Sequence, residues 1–142
     1  MAFKKYVSKD EIKNYSVEKF NGKISIIDKK KDLLDAYLFL KKQKIIGFDT
    51  ESRPTFKKGV SSNVSLIQFS TKNEVFLFRI NFIGFDDKLI DLINDKKIKK
   101  IGIAIFDDIK SLQKIKEFES NSVIDLNKLA LNLGFESIGA VK

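Results

Sequence analysis

Apolar residues return along this chain in two rhythms. In residues 28–43, "DKKKDLLDAYLFLKKQ", Leu33, Leu34, Tyr37 and Leu40 recur at helical spacing, and lysines gather at the C-terminal end, where they complement the helix dipole. Residues 22–28, 44–50, 63–71 and 74–80 are instead short apolar runs rich in Ile, Val and Phe, bounded by polar residues, and read as strands. The tetrapeptide "TKNE", 71–74, separates two of them by so little that a hairpin is predicted. Residues 9–15 predict a short helix and 85–94 a longer one. The run "KIKKIGIAIF", 97–106, reads as a buried strand, and residues 107–118 as a helix with acids at its positive end. Residues 122–135 give a short strand passing into a helix that ends near Gly134.

Three strands in succession followed by alternating helices and strands predict an α/β fold. Its mixed sheet is antiparallel through those three strands and parallel afterwards, with flanking helices. Strands separated by a helix are expected to be joined by right-handed crossovers. Glycine and proline are sparse, seven and one, and no linker or repeat divides the chain. At 142 residues it fits one domain with a sizeable core. Apolar residues make up 43% and charged residues 32%, which places the chain among soluble globular proteins. No window approaches the roughly 18 apolar residues of a membrane span. The first fifteen residues have no apolar core of signal-peptide type, so a cytoplasmic location is expected.

Cysteine and histidine are both absent. That excludes disulfides, thiolate nucleophiles, Cys/His zinc sites and imidazole bases. Catalysis would have to run on carboxylates, Lys, Tyr, hydroxyls or an oxygen-bound metal. The net charge of +8 favours a polyanionic partner, nucleic acid above all, although lysines spread over a surface are often simply solvated.

One stretch concentrates the chemistry. In "IIGFDTESRPTF", residues 45–56, an apolar run ends in Asp49 and Glu51. Residues two apart on a strand share a face, so these carboxylates project side by side and repel unless something compensates them. A hard divalent cation does so: Mg²⁺ takes oxygen ligands and often only one or two protein carboxylates plus substrate phosphate. Two such ions roughly 4 Å apart can hold both reacting oxygens of a phosphodiester. A second apolar run also ends in acids, Asp107 and Asp108. Parallel strands place their C-terminal ends on one edge, so the two acidic ends are expected to meet there; one of the latter pair is free to cap the following helix.

The segments "GFDTE", "SLIQFST", "VFLFRI" and "IGIAIFDDIKSL", in that order, resemble the DEDD superfamily of 3′–5′ exonucleases, in its ribonuclease D and Werner-type branch. The resemblance runs from about Ile45 to the C-terminus and implies a ribonuclease H-like fold. It makes residues 1–43 an N-terminal extension with the first helix, and residues 44–142 the exonuclease domain. Asp49 and Glu51 match the first motif. Counting back from Leu112 selects Asp108 for the second, with Asp107 the alternative. Asp125, in "VIDLNKLA", falls at a position that is usually structural. The resemblance implies two Mg²⁺ or Mn²⁺ ions, with Asp49 bridging both, Glu51 on the side of the attacking water and Asp108 on that of the leaving 3′-oxygen. The product would be a nucleoside 5′-monophosphate, cut from the 3′ end of a single strand of DNA or RNA.

The family's third motif, a Tyr or His followed four residues later by Asp, has no counterpart here; no Tyr follows Tyr37. The domain is therefore read as truncated before that motif, and this chain is expected to be weak or inactive. A non-catalytic nucleic-acid-binding or interaction domain is the alternative. Arg53, Lys57 and Lys58 follow the acidic strand and either contact phosphates or form an ordinary basic loop. Phe56 is a candidate to stack on a terminal base, whereas Phe48 is assigned to the core. Gln68, polar in an apolar strand, is expected to satisfy a buried backbone group.

Overall fold

The computed structural model describes residues 7–53, 59 and 63–135. Twelve elements follow one another: α1 (Lys9–Ile12), β1 (Lys23–Ile27), α2 (Lys30–Lys41), β2 (Ile45–Ser52), β3 (Val64–Ser70), β4 (Glu74–Phe78), α3 (Ile80–Ile83), α4 (Asp87–Asn94), β5 (Lys99–Gly102), α5 (Ile105–Gln113), β6 (Val123–Asp125) and α6 (Leu126–Asn132). The six strands form one mixed sheet in the order β1-β4-β3-β2-β5-β6. β2, β3 and β4 make the expected antiparallel meander. β5 and β6 then add in parallel beside β2, and β1 lies parallel to β4 at the other edge. No helix among the described residues is long and apolar enough to cross a membrane.

The hairpin between β3 and β4 is built by Thr71. Its hydroxyl donates to the carbonyl of Glu74 at 3.1 Å and accepts from the Glu74 N–H at 3.1 Å, closing the turn with a side chain. Phenylalanines then tie the strands together on one face. Phe48 pairs across the ladder with Phe69, and Phe69 with Phe76. Ring centroids lie 5.4 Å apart for Phe48–Phe69 and 5.8 Å for Phe69–Phe78, within the range of favourable aromatic pairs. Onto this face pack Leu33, Ala36 and Leu40 of α2, Leu89, Leu92 and Ile93 of α4, and Ile105, Ile109 and Leu112 of α5. Phe48 is 4% exposed, a core residue as expected.

Three sequence expectations are corrected here. Leu34 was expected on the buried stripe of α2, but it is 48% exposed and Ala36 lies inside instead. The helix is turned by its contact with α4, where Tyr37 Oη donates to Asp91 at 2.8 Å. The run 97–106 is not one strand. β5 ends at Gly102, Ala104 adopts a left-handed conformation (φ 54°), and Ile105 and Phe106 already belong to α5. The physical reason is that Ile105, Ile109 and Leu112 recur at helical spacing, so the apolar run serves a strand and a helix in turn. Asp107 and Asp108 accordingly lie in the first turn of a helix rather than at a strand end, and neither caps it, since Ala104 holds the N-cap position. Ile80, read as the end of a strand, starts α3.

Candidate active site

The register of β2 decides which way each residue of Asp-Thr-Glu points. Thr50 pairs with Ile67, which pairs with Phe78, so Thr50 belongs to the core-facing row. Asp49 pairs with Gln68 and Glu51 with Leu66, and both acids are solvent-exposed on the opposite face. The ladder slips between Glu51 and Ser52. The extra residue is Ser65 on β3, and such a bulge bends the strand that carries it. Asp49 Oδ1 accepts the backbone N–H of Thr50 at 2.9 Å.

Asp108 reaches this strand end from the helix side. Its half-buried carboxylate accepts a 2.5 Å hydrogen bond from Thr50 Oγ1. A close backbone approach brings α5 to β2. A Cβ on Gly102 would sit 2.5 Å from the carbonyl oxygen of Phe48, so only glycine lets β5 run this close before the chain turns into α5. Burial raises the pKa of Asp108 to about 6, the Thr50 hydrogen bond opposes the rise, and the charges of Asp49, Asp107 and Glu51 add to it. Bonded to Thr50, Asp108 meets the core-facing side of β2, whereas Asp49 and Glu51 are exposed on the other face, so the two acidic ends come near each other without converging on one point.

No basic partner of these acids is found among the described residues. Among the described residues, ion pairs engage Asp10, Asp28, Glu74, Asp86, Asp87, Asp91 and Asp95, but none engages Asp49, Glu51, Asp107 or Asp108. Also among the described residues, no three acidic side chains are gathered closely enough to enclose a metal ion.

The remaining candidates divide. Arg53 is exposed directly after β2. Phe56, Lys57 and Lys58 lie outside the described residues. Asp125 accepts the Asn127 N–H at 2.9 Å as the N-cap of α6, a structural role. Gln68 does not serve the buried backbone group expected of it. No hydrogen bond from its side chain is present among the described residues, and it lines, with Gly47, Asp49, Ser70, Ile101 and Ile103, a hollow of about 230 Å³ beside Asp49. Thr50 stands between two acids in the sequence, but its bond to a side chain 58 residues away was not legible there.

Comparison with known proteins gives this geometry a context. A family model described as 3′–5′ exonuclease matches residues 24–139. The chain is 32% identical over 88 residues, 61% of its length, to the bifunctional 3′–5′ exonuclease/ATP-dependent helicase WRN of Mus musculus, of which it spans only 6%. In structure it resembles the Nibbler EXO domain of Aedes aegypti, with a TM-score of 0.72 and 22% identity, over 84% of this chain and 64% of that one. It also resembles RNase D of Trypanosoma brucei in complex with RNA U12, with a TM-score of 0.67 and 22% identity, over 76% and 39% of the two chains. The six-stranded sheet and its helices are those of the ribonuclease H-like exonuclease domains. Matched by the family model along most of its length, the chain belongs to the 3′–5′ exonuclease family, as a domain of the DEDD type.

Proposed function

We propose that this domain hydrolyses the terminal phosphodiester at the 3′ end of a nucleic acid strand and releases nucleoside 5′-monophosphates, with Asp49, Glu51 and Asp108 as its acidic residues and Mg²⁺ or Mn²⁺ as cofactor. The observation that supports this reading is the occurrence of Asp49, Glu51 and Asp108 near the end of β2 with no ion pair to any of them among the described residues, in a strongly basic chain. Carboxylate oxygens are hard donors of the kind these ions take, and Mg²⁺ commonly needs only one or two of them beside substrate phosphate and water. Carboxylates of this chemistry would suit a divalent cation that substrate phosphate and water also ligate. When bound, such ions polarise the phosphodiester and make water a better nucleophile.

The residues of this chain would then divide the work. Asp49 and Glu51, exposed on one face of the strand, would hold the ions against the terminal phosphate, with Asp49 at the centre. Asp108 would hold them from the helix side. Arg53, with Lys57 and Lys58, would pair with phosphates nearer the body of the strand, and Phe56 would stack on the terminal base. The positive surface as a whole would draw the single strand in by counterion release.

Turnover by the 142-residue chain itself is expected to be weak, because no three acidic side chains among the described residues are gathered closely enough to enclose an ion. The same observation favours the second reading, a nucleic-acid-binding or interaction domain without catalysis. An end-labelled oligonucleotide with a 3′ tail, incubated with Mn²⁺ and either this chain or Asp49→Asn, separates the two. Stepwise 3′ shortening that the variant loses supports the exonuclease. Salt-sensitive binding without shortening, equal in both proteins, supports the non-catalytic domain.

A further inference from the structure

We infer that β1 is a self-association edge: the strand Lys23–Ile27 pairs antiparallel with β1 of a second copy of this chain, about a two-fold axis at Ser25. The inference uses none of the acidic site residues and stands apart from the proposed hydrolysis.

β1 lies at an edge of the sheet and has its neighbour, β4, on one side. The Lys23 N–H donates to the Asn73 carbonyl and the Ile27 carbonyl accepts the Arg79 N–H, both at 3.0 Å. Backbone groups alternate in direction along a strand, so Lys23, Ser25 and Ile27 bond toward β4. The N–H and C=O groups of Ile24 and Ile26 therefore point away from the sheet, and no hydrogen bond to them is found among the described residues. Ile27 is buried in the core, so the side chains of Ile24 and Ile26 stand on the opposite face, 60% and 59% exposed. Open edges of this kind are usually blunted by a proline, a bulge, short length or charge. β1 has no proline, keeps a continuous register with β4 and carries one charge, on Lys23. The other edge strand, β6, is only three residues long. The segment before β1 gives little cover, since residues 12–22 are all exposed.

A second copy is the occupant because the strand complements itself. With Ser25 opposite Ser25 of the second copy, Ile24 faces Ile26 and Ile26 faces Ile24. Each of these pairs exchanges two N–H···O=C bonds, so every outward group of both strands is used. The four isoleucines then meet on the uncovered face, as cross-strand pairs of the kind that stabilise sheets. Charge follows the same register. On the core side, Lys23 of the second copy faces Ile27, which lines a hollow of about 300 Å³ with Asp32, Asp35 and Phe39. Asp32 and Asp35 enter no ion pair among the described residues, so the arriving ammonium finds two carboxylates, and the contact occurs twice by symmetry. A two-fold contact also closes on itself and leaves no open edge at β1.

The test is sedimentation of the whole chain from low micromolar to near-millimolar concentration, beside Ile26→Pro and Ile26→Lys, with disulfide trapping of Ser25→Cys. Proline at position 26 removes an outward N–H, and lysine there puts charge among the isoleucines; both leave the bonds to β4 in place. Directly opposed residues in a non-hydrogen-bonded antiparallel pair have Cα atoms about 4.5 Å apart, within the disulfide range of about 4.4–6.8 Å. The chain has no cysteine of its own, so a trapped link is unambiguous. The expected result is a wild type that passes from one chain to two as concentration rises, with association at least about tenfold weaker in both Ile26 variants. The melting temperature of Ile26→Lys should stay within a few degrees of wild type. Mild oxidation should link Ser25→Cys into dimers several-fold faster than Lys114→Cys, an exposed position at the end of α5. Where Ile26→Pro fails to fold, Ile26→Lys decides. A wild type that stays a single chain throughout, dimers of wild-type strength in Ile26→Lys, or Ser25→Cys linking no faster than Lys114→Cys would each overturn the inference.

Discussion

The ammonium of Lys100, 1% exposed in the core-facing row of β5 opposite Ile46, donates to the backbone carbonyl of Asp95 at 2.6 Å. Burial lowers its pKa to about 8; the charge of Asp95 opposes this and that of Lys41 adds to it. Nearby, burial alone would lower the pKa of Lys41, but hydrogen bonds to Asp91 and Asp95 outweigh it and raise the pKa well above the usual lysine range. Two lysines of one cluster are therefore driven in opposite directions.

The sign for Lys100 follows from linkage. In the unfolded chain it titrates near 10.4, so between about pH 8 and 10.4 the unfolded state binds more protons than the folded one. The penalty of folding around a charged Lys100 is complete below pH 8 and is relieved as pH rises through that window. Replacing it with methionine, Lys100→Met, should stabilise the protein at pH 7 by about 1–3 kcal/mol and flatten its stability between pH 8 and 10. Urea unfolding of both proteins across that range is the measurement. A variant less stable than wild type at pH 7 would mean that the hydrogen bond to Asp95 outweighs desolvation.

Gly102 should tolerate no side chain. The added methyl of Gly102→Ala would meet the carbonyl oxygen of Phe48 at 2.5 Å and the Cβ of Ile105 at 3.2 Å. Neither is the far end of a flexible side chain, so β2, β5 and the start of α5 must move apart. The expected loss is about 1–3 kcal/mol in chemical unfolding. Any Mn²⁺ affinity should fall as well, because α5 carries Asp108 and β2 carries Asp49.

Ala104 should be improved by the reverse change. Its φ of 54° places a residue with a Cβ in the left-handed region, at a cost of about 1–2 kcal/mol that glycine avoids. Against this stands the greater unfolded-state freedom of glycine, so Ala104→Gly should gain about 0.5–1 kcal/mol. Differential scanning calorimetry should show a melting temperature a few degrees higher. A lower one would mean that the strain does not reside in this residue.

How much of this was legible in the sequence can be traced residue by residue. The alternation of Phe and Ile through residues 64–78 determined the strands, because side chains on a strand alternate strictly between faces. The same periodicity placed Asp49 and Glu51 together on one face and Phe48 in the core. The motif order carried the family. The boundary inside "IGIAIFDD" was not legible, since an apolar run satisfies a buried strand and a buried helix face equally well. The break was decided where Gly102 meets the carbonyl of Phe48, a contact between segments 54 residues apart. Packing against α4 chose Ala36 over Leu34. The burial of Lys100 required a carbonyl from Asp95, and the Thr50 hydroxyl found its acceptor in Asp108. The sequence determined which residues could pair and which faces they shared, because those follow from local periodicity. Only the tertiary structure decided which polar groups met, because a hydrogen bond between distant residues depends on distances of a few tenths of an ångström that no local pattern encodes.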